Sequence, residues 1–248
     1  MSFVERLAGA YRARAPYPRI TEIEPGMQLD AAYGVQKQLV ELLSRQREIA
    51  GYKGALTAAA AQRNMGIDRP VTGVLFPLDG HDGGTNVESS AFGRLLIETE
   101  LSFRLGADVT SALADEDAAA SVIAAVAPAI ELANLAFESQ PAGADLVAAN
   151  SAFGSFIRGE EVILTDLDGV AVTLYRDDEL LYEGVSGEVL GGQLKAVRWL
   201  VNSVLELGYP VKAGHILLTG SIGGLQPGQP GDYVADFGAA GLVRFTVS

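Results

Sequence analysis

The spacing of hydrophobic and polar residues changes after the first fifty positions of this chain. Before that point apolar residues recur every three to four positions, in residues 4–8 and again in residues 33–43, as on one face of a helix. After it, short apolar or alternating runs of strand length follow one another, separated by glycine and proline. The pattern predicts a helical N-terminal region, residues 1–50, and a β-rich core, residues 51–248, within a single domain.

Three helices are predicted to interrupt the β-rich part, at residues 57–66, 115–126 and 190–207. The glycine- and proline-rich residues 220–231 are predicted to form a loop, because such residues favour turns over regular structure. The predicted strands are residues 52–56, 73–76, 95–105, 129–137, 153–158, 170–176, 216–218, 232–237 and 242–247.

Two carboxylates lie close together in the predicted strand Leu95-Leu96-Ile97-Glu98-Thr99-Glu100-Leu101. Side chains alternate between the two faces of a strand, so Glu98 and Glu100 project from the same face. An amphipathic strand with one solvated face gives the same pattern. Taken alone, the two residues therefore favour the solvated face.

A third carboxylate, Glu131, lies in the apolar segment Ala127-Pro128-Ala129-Ile130-Glu131-Leu132. An unpaired buried carboxylate costs several kcal/mol, so Glu131 requires a cation, a proton or a basic partner. No lysine or arginine lies between Arg104 and Arg158 to provide a local salt bridge. If Glu98, Glu100 and Glu131 converge, they form a site for a hard divalent cation such as Mg²⁺, Mn²⁺ or Ca²⁺.

Other chemistry receives less support. The chain has no cysteine, which excludes disulfides, thiolate metal sites and cysteine nucleophiles. Neither His81 nor His215 is close to a Gly-x-Ser-x-Gly motif, and no Walker or Rossmann glycine pattern is present. Lys53 lies in the glycine-flanked segment Gly51-Tyr52-Lys53-Gly54. It is either a surface lysine or, near a bound metal, a group that contacts the substrate or moves a proton.

The formal net charge of −13 argues against nucleic acid or an anionic membrane as a partner. The N-terminal residues lack the apolar run of a signal peptide, and the longest apolar stretch is interrupted by Pro128 and Glu131. We therefore expect a cytoplasmic protein without a membrane segment.

The order of these segments resembles the 2-keto-4-pentenoate hydratase and 4-oxalocrotonate decarboxylase group of the fumarylacetoacetate hydrolase superfamily. No single segment is specific, but the ordered set covers nearly the whole chain. It comprises Ala15-Pro16, Asp30-Ala31-Ala32-Tyr33-Gly34-Val35-Gln36, Gly51-Tyr52-Lys53-Gly54-Ala55-Leu56-Thr57, Met65-Gly66-Ile67-Asp68, Gly73-Val74-Leu75-Phe76, the Glu-x-Glu strand, the Pro-Ala-Ile-Glu segment, Asn150, residues 187–191, Trp199-Leu200 and Gly214-His215-Ile216-Leu217-Leu218-Thr219-Gly220-Ser221.

The resemblance implies an α+β fold with a mixed, mostly antiparallel β-rich core wrapped by helices. It implies that Glu98, Glu100 and Glu131 bind Mg²⁺ or Mn²⁺ and that Lys53 acts in catalysis beside a small 2-keto acid substrate. Leu75, Thr219 and Gly220 match pocket-lining positions. A homo-oligomer is expected, and association with a related decarboxylase or hydratase subunit is an open possibility.

The leading function is hydration of a 2-hydroxy-2,4-dienoate to a 4-hydroxy-2-keto acid. Alternatives are decarboxylation of a 4-oxalocrotonate-type diacid, C–C hydrolysis of an acylpyruvate, and a non-catalytic partner subunit. Related hydratases carry an acidic residue, a proposed proton-transfer group, where this chain has Val71, which keeps the decarboxylase alternative open. Asp68 and Asp79 are the nearest other carboxylates in the sequence.

Overall fold

A computed structural model describes residues 1–76 and 85–248 of the chain. Within them the predicted helical N-terminal region is present, and the capping box of Ser2 and Glu5 begins its first helix. Among the described residues no helix is long and apolar enough to cross a membrane. The α-helices are α1 (Phe3–Ala13), α2 (Leu29–Ser44), α3 (Ala59–Asn64), α4 (Glu116–Ser121), α5 (Gly143–Ala148) and α6 (Gln193–Glu206).

The strands of the β-rich core form two sheets, and strands and helices together give the predicted α+β fold. The strands are β1 (Gly51–Ala55), β2 (Val71–Leu75), β3 (Thr85–Val87), β4 (Leu95–Leu105), β5 (Ile123–Asn134), β6 (Ser155–Arg158), β7 (Ala171–Arg176), β8 (Glu179–Val185), β9 (Ile216–Leu218), β10 (Ile222–Pro227), β11 (Gly231–Asp236) and β12 (Leu242–Val247).

The larger sheet has the order β2-β1-β9-β4-β5-β6, and β10 also pairs with β4. Only the β1–β9 pair is parallel in this part of the described structure. The smaller sheet has the order β3-β12-β11-β7-β8 and is antiparallel except for β12–β3. The predicted mixed, mostly antiparallel topology is confirmed.

Two sequence predictions of local structure are wrong. The glycine-rich residues 220–231, predicted as a loop, contain β10, which pairs with β4 from Leu96 to Thr99. The helix predicted over residues 115–126 ends at Ser121, and β5 begins at Ile123. In both places pairing with the long strand β4 outweighs the local preference of glycine or alanine.

Strand alternation divides the larger sheet into an apolar face and a polar face. Ile97, Leu101 and Phe103 of β4 point to the apolar face and share one hydrophobic cluster with Tyr233 and Phe245 of the smaller sheet. Glu98, Glu100 and Ser102 of β4 project from the opposite face. The polar residues of this second face are therefore held on a strand that is anchored in the core.

Among the described residues, side chains instead of another strand satisfy the free edge of β2. The amide of Asn150 accepts a hydrogen bond from Val74 N (2.7 Å) and donates one to Val74 O (2.8 Å). Ser151 Oγ donates to Thr72 O at 2.7 Å. Asn150 and Ser151 shortly precede β6 in the chain. This segment therefore contacts β2 at one edge of the sheet and then leads into β6 at the other edge.

This connection has an unusual backbone. Asn150, Ser151 and Ala152 all have positive φ angles, of 59°, 52° and 57°, a conformation that costs energy for residues other than glycine. Gly73 allows the close approach, since a Cβ there would lie 3.0 Å from Asn150 O and 3.3 Å from Ser151 Cβ. The left-handed turn thus packs directly against the polar face of the sheet.

Candidate metal centre

The three predicted carboxylates meet on the polar face of the larger sheet. Glu98 of β4 is the direct cross-strand partner of Glu131 of β5, and Glu100 lies two residues further along the same face of β4. Three carboxylate oxygens, one from each residue, lie within 4.8 Å of one another. The convergence expected from sequence is therefore present.

The burial of these side chains distinguishes the cluster from an ordinary solvated strand face. Glu100 and Glu131 have no exposed side-chain area, and only Glu98 is partly exposed. Glu100 Oε1 and Glu131 Oε2 are buried and accept no hydrogen bond from a described residue. The solvated-face interpretation is wrong for Glu100. Buried carboxylate oxygens without a donor are suitable ligands for a hard divalent cation, so the residues present fit such an ion.

The electrostatics of the cluster point the same way. Burial and then the neighbouring Glu131 raise the pKa of Glu98 to about 7. Burial, followed by Glu131 and Glu98, raises the pKa of Glu100 well above its ordinary value. Burial also raises the pKa of Glu131, against the opposing effect of Lys53. The cluster therefore favours neutralisation by protons or by a cation.

Lys53 supplies one positive charge to the cluster. Its side chain is only 2% exposed, and its Nζ forms an ion pair and hydrogen bond with Glu131 Oε1. Burial disfavours the ammonium, but Glu131, Glu98 and Glu100 outweigh that effect and raise the pKa of Lys53. The surface-lysine interpretation is wrong. Glu131 does have a basic partner, and that partner is not local, because Lys53 lies 78 positions away in the sequence.

The segment after β9 forms a second boundary of the cluster. Gly220 N donates a hydrogen bond to Glu100 Oε2 at 2.7 Å. Thr219 Oγ1 donates to Gln193 Oε1 at 2.7 Å, and Gln193 Nε2 donates to Ser186 O at 2.6 Å. Gln193 is fully buried and orients the Thr219–Gly220 segment.

Two further residues considered from the sequence lie in apolar clusters. Leu75 lies two residues from Gly73, the cross-strand neighbour of Lys53, but it is fully buried in the main hydrophobic cluster. Val71 packs in a smaller apolar cluster with Ile20 and Val147. The role of Leu75 in substrate binding remains a prediction.

The remaining carboxylates and histidines add no further group to the described site. Asp68 is exposed, and His215 packs edge-on against Tyr52 with ring centroids 5.5 Å apart. His215 directly precedes β9, and this ring contact indicates a structural role for it. Asp79 and His81 lie outside the described residues.

Comparison with known proteins gives matches over nearly the whole chain. The model of the fumarylacetoacetate (FAA) hydrolase C-terminal family matches residues 61–248. The chain is 30% identical to a 2-keto-4-pentenoate hydratase of Burkholderia vietnamiensis (strain G4 / LMG 22486), over 99% of this chain and 96% of the relative. It is 34% identical to 2-keto-4-pentenoate hydratase 2 of Dechloromonas aromatica (strain RCB), over 78% of this chain and 76% of the relative.

A solved structure gives a similarly extensive match. The 4-oxalocrotonate decarboxylase of Pseudomonas putida G7, complexed with magnesium and adipate, superimposes with a TM-score of 0.92. The match has 26% identity and covers 99% of this chain and 96% of that one. The fold and the family resemblance predicted from sequence are confirmed, and the predicted enzyme class, hydratase with decarboxylase as the alternative, agrees with the names of these proteins.

Proposed function

Because the chain belongs to the fumarylacetoacetate hydrolase family, we propose that it is a divalent-metal-dependent hydratase. Its substrate is a 2-hydroxy-2,4-dienoate of the 2-keto-4-pentenoate type, and its product is a 4-hydroxy-2-keto acid. Glu98, Glu100 and Glu131 are the proposed ligands of Mg²⁺ or Mn²⁺. The proposal is supported by hydratase relatives that align with most or all of the chain.

One structural observation carries the metal assignment. Three carboxylates from two adjacent strands converge, and two of their oxygens are buried without a hydrogen-bond donor. A structural role alone does not require three acidic groups at one place, because their mutual repulsion and desolvation oppose folding. When bound, the cation holds the carboxylate and 2-oxygen of a 2-keto acid and stabilises negative charge on that oxygen.

The residues around the carboxylates divide the remaining tasks. Lys53 places an ammonium beside Glu131, where it attracts the anionic substrate and is available to transfer a proton. The Gly220 N–H fixes one oxygen of Glu100, so that the other oxygen, Oε1, remains free to bind a cation. Gln193 holds the hydroxyl of Thr219 and keeps this segment beside the cluster.

Decarboxylation of a 4-oxalocrotonate-type diacid is the second candidate. It is favoured by the superposition with the Pseudomonas putida G7 decarboxylase and by Val71, which stands where related hydratases carry an acidic residue. Val71 lies in an apolar cluster, so the chain offers no carboxylate at that position. Decarboxylation requires no water to be activated and therefore tolerates this loss more easily.

A comparison of substrates under the same conditions tests the function. The protein is incubated with Mg²⁺ or Mn²⁺ and 2-hydroxypenta-2,4-dienoate, an oxalocrotonate analogue or an acylpyruvate, and products are identified by mass spectrometry. Faster formation of the 4-hydroxy-2-keto acid supports the hydratase. Faster release of carbon dioxide supports the decarboxylase, and cleavage of the acylpyruvate supports a hydrolase. Turnover of any of these substrates excludes a non-catalytic partner subunit.

We also propose that the protein forms a homo-oligomer. Leu180 and Val185 are 48% and 42% exposed on β8, an edge strand of the smaller sheet among the described residues. Exposed apolar side chains on an edge strand are suited to contact another subunit. Light scattering after size-exclusion chromatography gives the mass in solution, and a mass of 26.0 kDa contradicts this proposal.

A further inference from the structure

Arg158 is a basic residue on the same face of the sheet as the carboxylates. It is at the end of β6, directly opposite Ala129 of β5, and Ala129 is in turn opposite Glu100 of β4. Direct cross-strand partners project from the same face. Because Ala127 and Ala129 have short side chains, the long Arg158 side chain can cross β5 and reach Ser102 of β4.

The hydrogen bonds of Arg158 leave one nitrogen unused. Nε donates to Ser102 Oγ at 3.0 Å, and Nη1 donates to Glu161 Oε1 at 2.9 Å. Nη2 is buried and has no hydrogen-bond partner among the described residues. A buried guanidinium N–H without an acceptor is costly. An arginine binds a carboxylate most strongly through two parallel hydrogen bonds, one from Nε and one from an Nη nitrogen, which together form a fork. In Arg158, Nε contacts Ser102, which is on the same face of β4 as Glu98 and Glu100.

The local charges leave Arg158 able to bind an anion. Arg104 and Arg158 both contact the single carboxylate of Glu161, so one positive charge of this group is not neutralised by it. An anionic substrate of this protein must also overcome the net charge of −13. A second cationic contact, separate from Lys53, is therefore favourable for a substrate with two negative charges.

We propose that Arg158 binds a second carboxylate of the substrate, at the end opposite the 2-keto acid group, and so selects the dicarboxylic 2-keto acid of the second candidate function over a dienoate with one carboxylate. This inference rests on the proposed function, because it assumes that the 2-keto acid end, which both candidate substrates share, lies at Glu98, Glu100 and Glu131. Glu100 and Ser102 are two residues apart on β4, about 7 Å along the strand. A linear chain with five to six carbon–carbon bonds spans about this distance.

Two unreactive ligands separate the role of Arg158 from that of the metal. 2-Oxoadipate and 2-oxohexanoate have the same chain length and the same 2-keto acid group, but only 2-oxoadipate has a second carboxylate. Their affinities are measured by calorimetry on the Mg²⁺-loaded protein. The wild type should bind 2-oxoadipate about 10-fold more tightly or better, as expected for a charge-assisted hydrogen bond.

The Arg158→Met variant should lose this preference and retain its affinity for 2-oxohexanoate. Arg104→Met is the matched control, because it removes the same charge and another contact of Glu161 at a more exposed position. It should keep the preference. If Arg158→Met does not fold, Arg158→Lys, which keeps the charge but not the fork, should show a reduced preference.

Equal affinity of the wild type for the two ligands, or a preference that survives in Arg158→Met, overturns the inference. In both cases Mg²⁺-dependent binding of 2-oxohexanoate still supports the proposed function. If neither ligand binds in a Mg²⁺-dependent manner, the proposed function fails and the inference fails with it.

Discussion

Lys53 and Glu131 form a buried ion pair although two strands separate them in the sheet. Lys53 is on β1 and Glu131 is on β5, with β9 and β4 between them. Three strand spacings correspond to about 14 Å in a flat sheet, so the reach of the two long side chains and the curvature of a twisted sheet together close this distance. The contact places a basic residue beside three acidic residues that are already neighbours on β4 and β5, and this arrangement accounts for most of the chemistry proposed for this protein.

Replacing Glu131 tests the metal site. The Glu131→Gln variant should bind Mn²⁺ at least about 100-fold more weakly, because loss of a charged ligand exceeds the 10–100-fold effect of losing an outer hydrogen-bond partner. Isothermal titration calorimetry measures the change. The exposed Glu138→Gln variant is the control for the loss of one charge. Unchanged Mn²⁺ affinity in Glu131→Gln would end the three-carboxylate assignment.

Replacing Lys53 tests the ion pair. Lys53→Met leaves Glu131 without its buried partner, so the metal-free variant should lose about 3–5 kcal/mol of unfolding free energy. Mg²⁺ should restore much of this loss, because the cation replaces the missing charge. Turnover should fall far more than metal affinity. Urea unfolding with and without Mg²⁺ measures the stability, and Lys37→Met, at an exposed position of α2, should change little. A Lys53→Met variant as stable as the wild type without metal contradicts the argument.

The stabilising effect of the metal should depend on pH. Glu98 has a pKa of about 7 in the folded protein, above its ordinary value of 4.5, so the folded state binds protons more tightly than the unfolded state. Without metal, this contribution to stability is present below about pH 4.5 and is lost as the pH rises through about 7. A bound cation takes over the role of the proton at higher pH. The increase in Tm caused by Mg²⁺ should therefore be larger at about pH 8 than at about pH 5.5, as scanning calorimetry can show. A smaller increase at the higher pH would be the contrary result.

Gly220 should not tolerate a side chain. Its φ of +127° is rarely adopted by other residues, and a Cβ would lie 2.6 Å from Thr57 Cγ2. Gly220→Ala should therefore destabilise the fold by about 1–3 kcal/mol and weaken metal binding, because the N–H that fixes Glu100 moves. Gly34→Ala, in an open position of α2, should instead stabilise by about 0.5–1 kcal/mol. Thermal unfolding and Mn²⁺ calorimetry test both variants, and a Gly220→Ala protein with wild-type values contradicts the role of Gly220.

Local patterns in the sequence determined several features of this protein. Two of these features are the helical spacing of the first fifty residues and the alternation along residues 95–105. Both could be predicted because each pattern depends only on residues that are close together in the sequence. The alternation also placed Glu98 and Glu100 on one face, because the two-residue period of a strand is a local property. The apolar surroundings of Glu131 indicated its burial for the same reason. The ordered set of segments was sufficient to identify the resemblance to the family.

Tertiary structure alone decided which distant groups meet. The sequence separates Lys53 from Glu131 by 78 positions and Arg158 from Ser102 by 56, and no local pattern encodes either contact. The glycine-rich segment 222–227 became a strand only because β4 offered it a partner. Strand pairing and sheet curvature depend on contacts between residues far apart in the chain, and these contacts determine the charge and shape of the site.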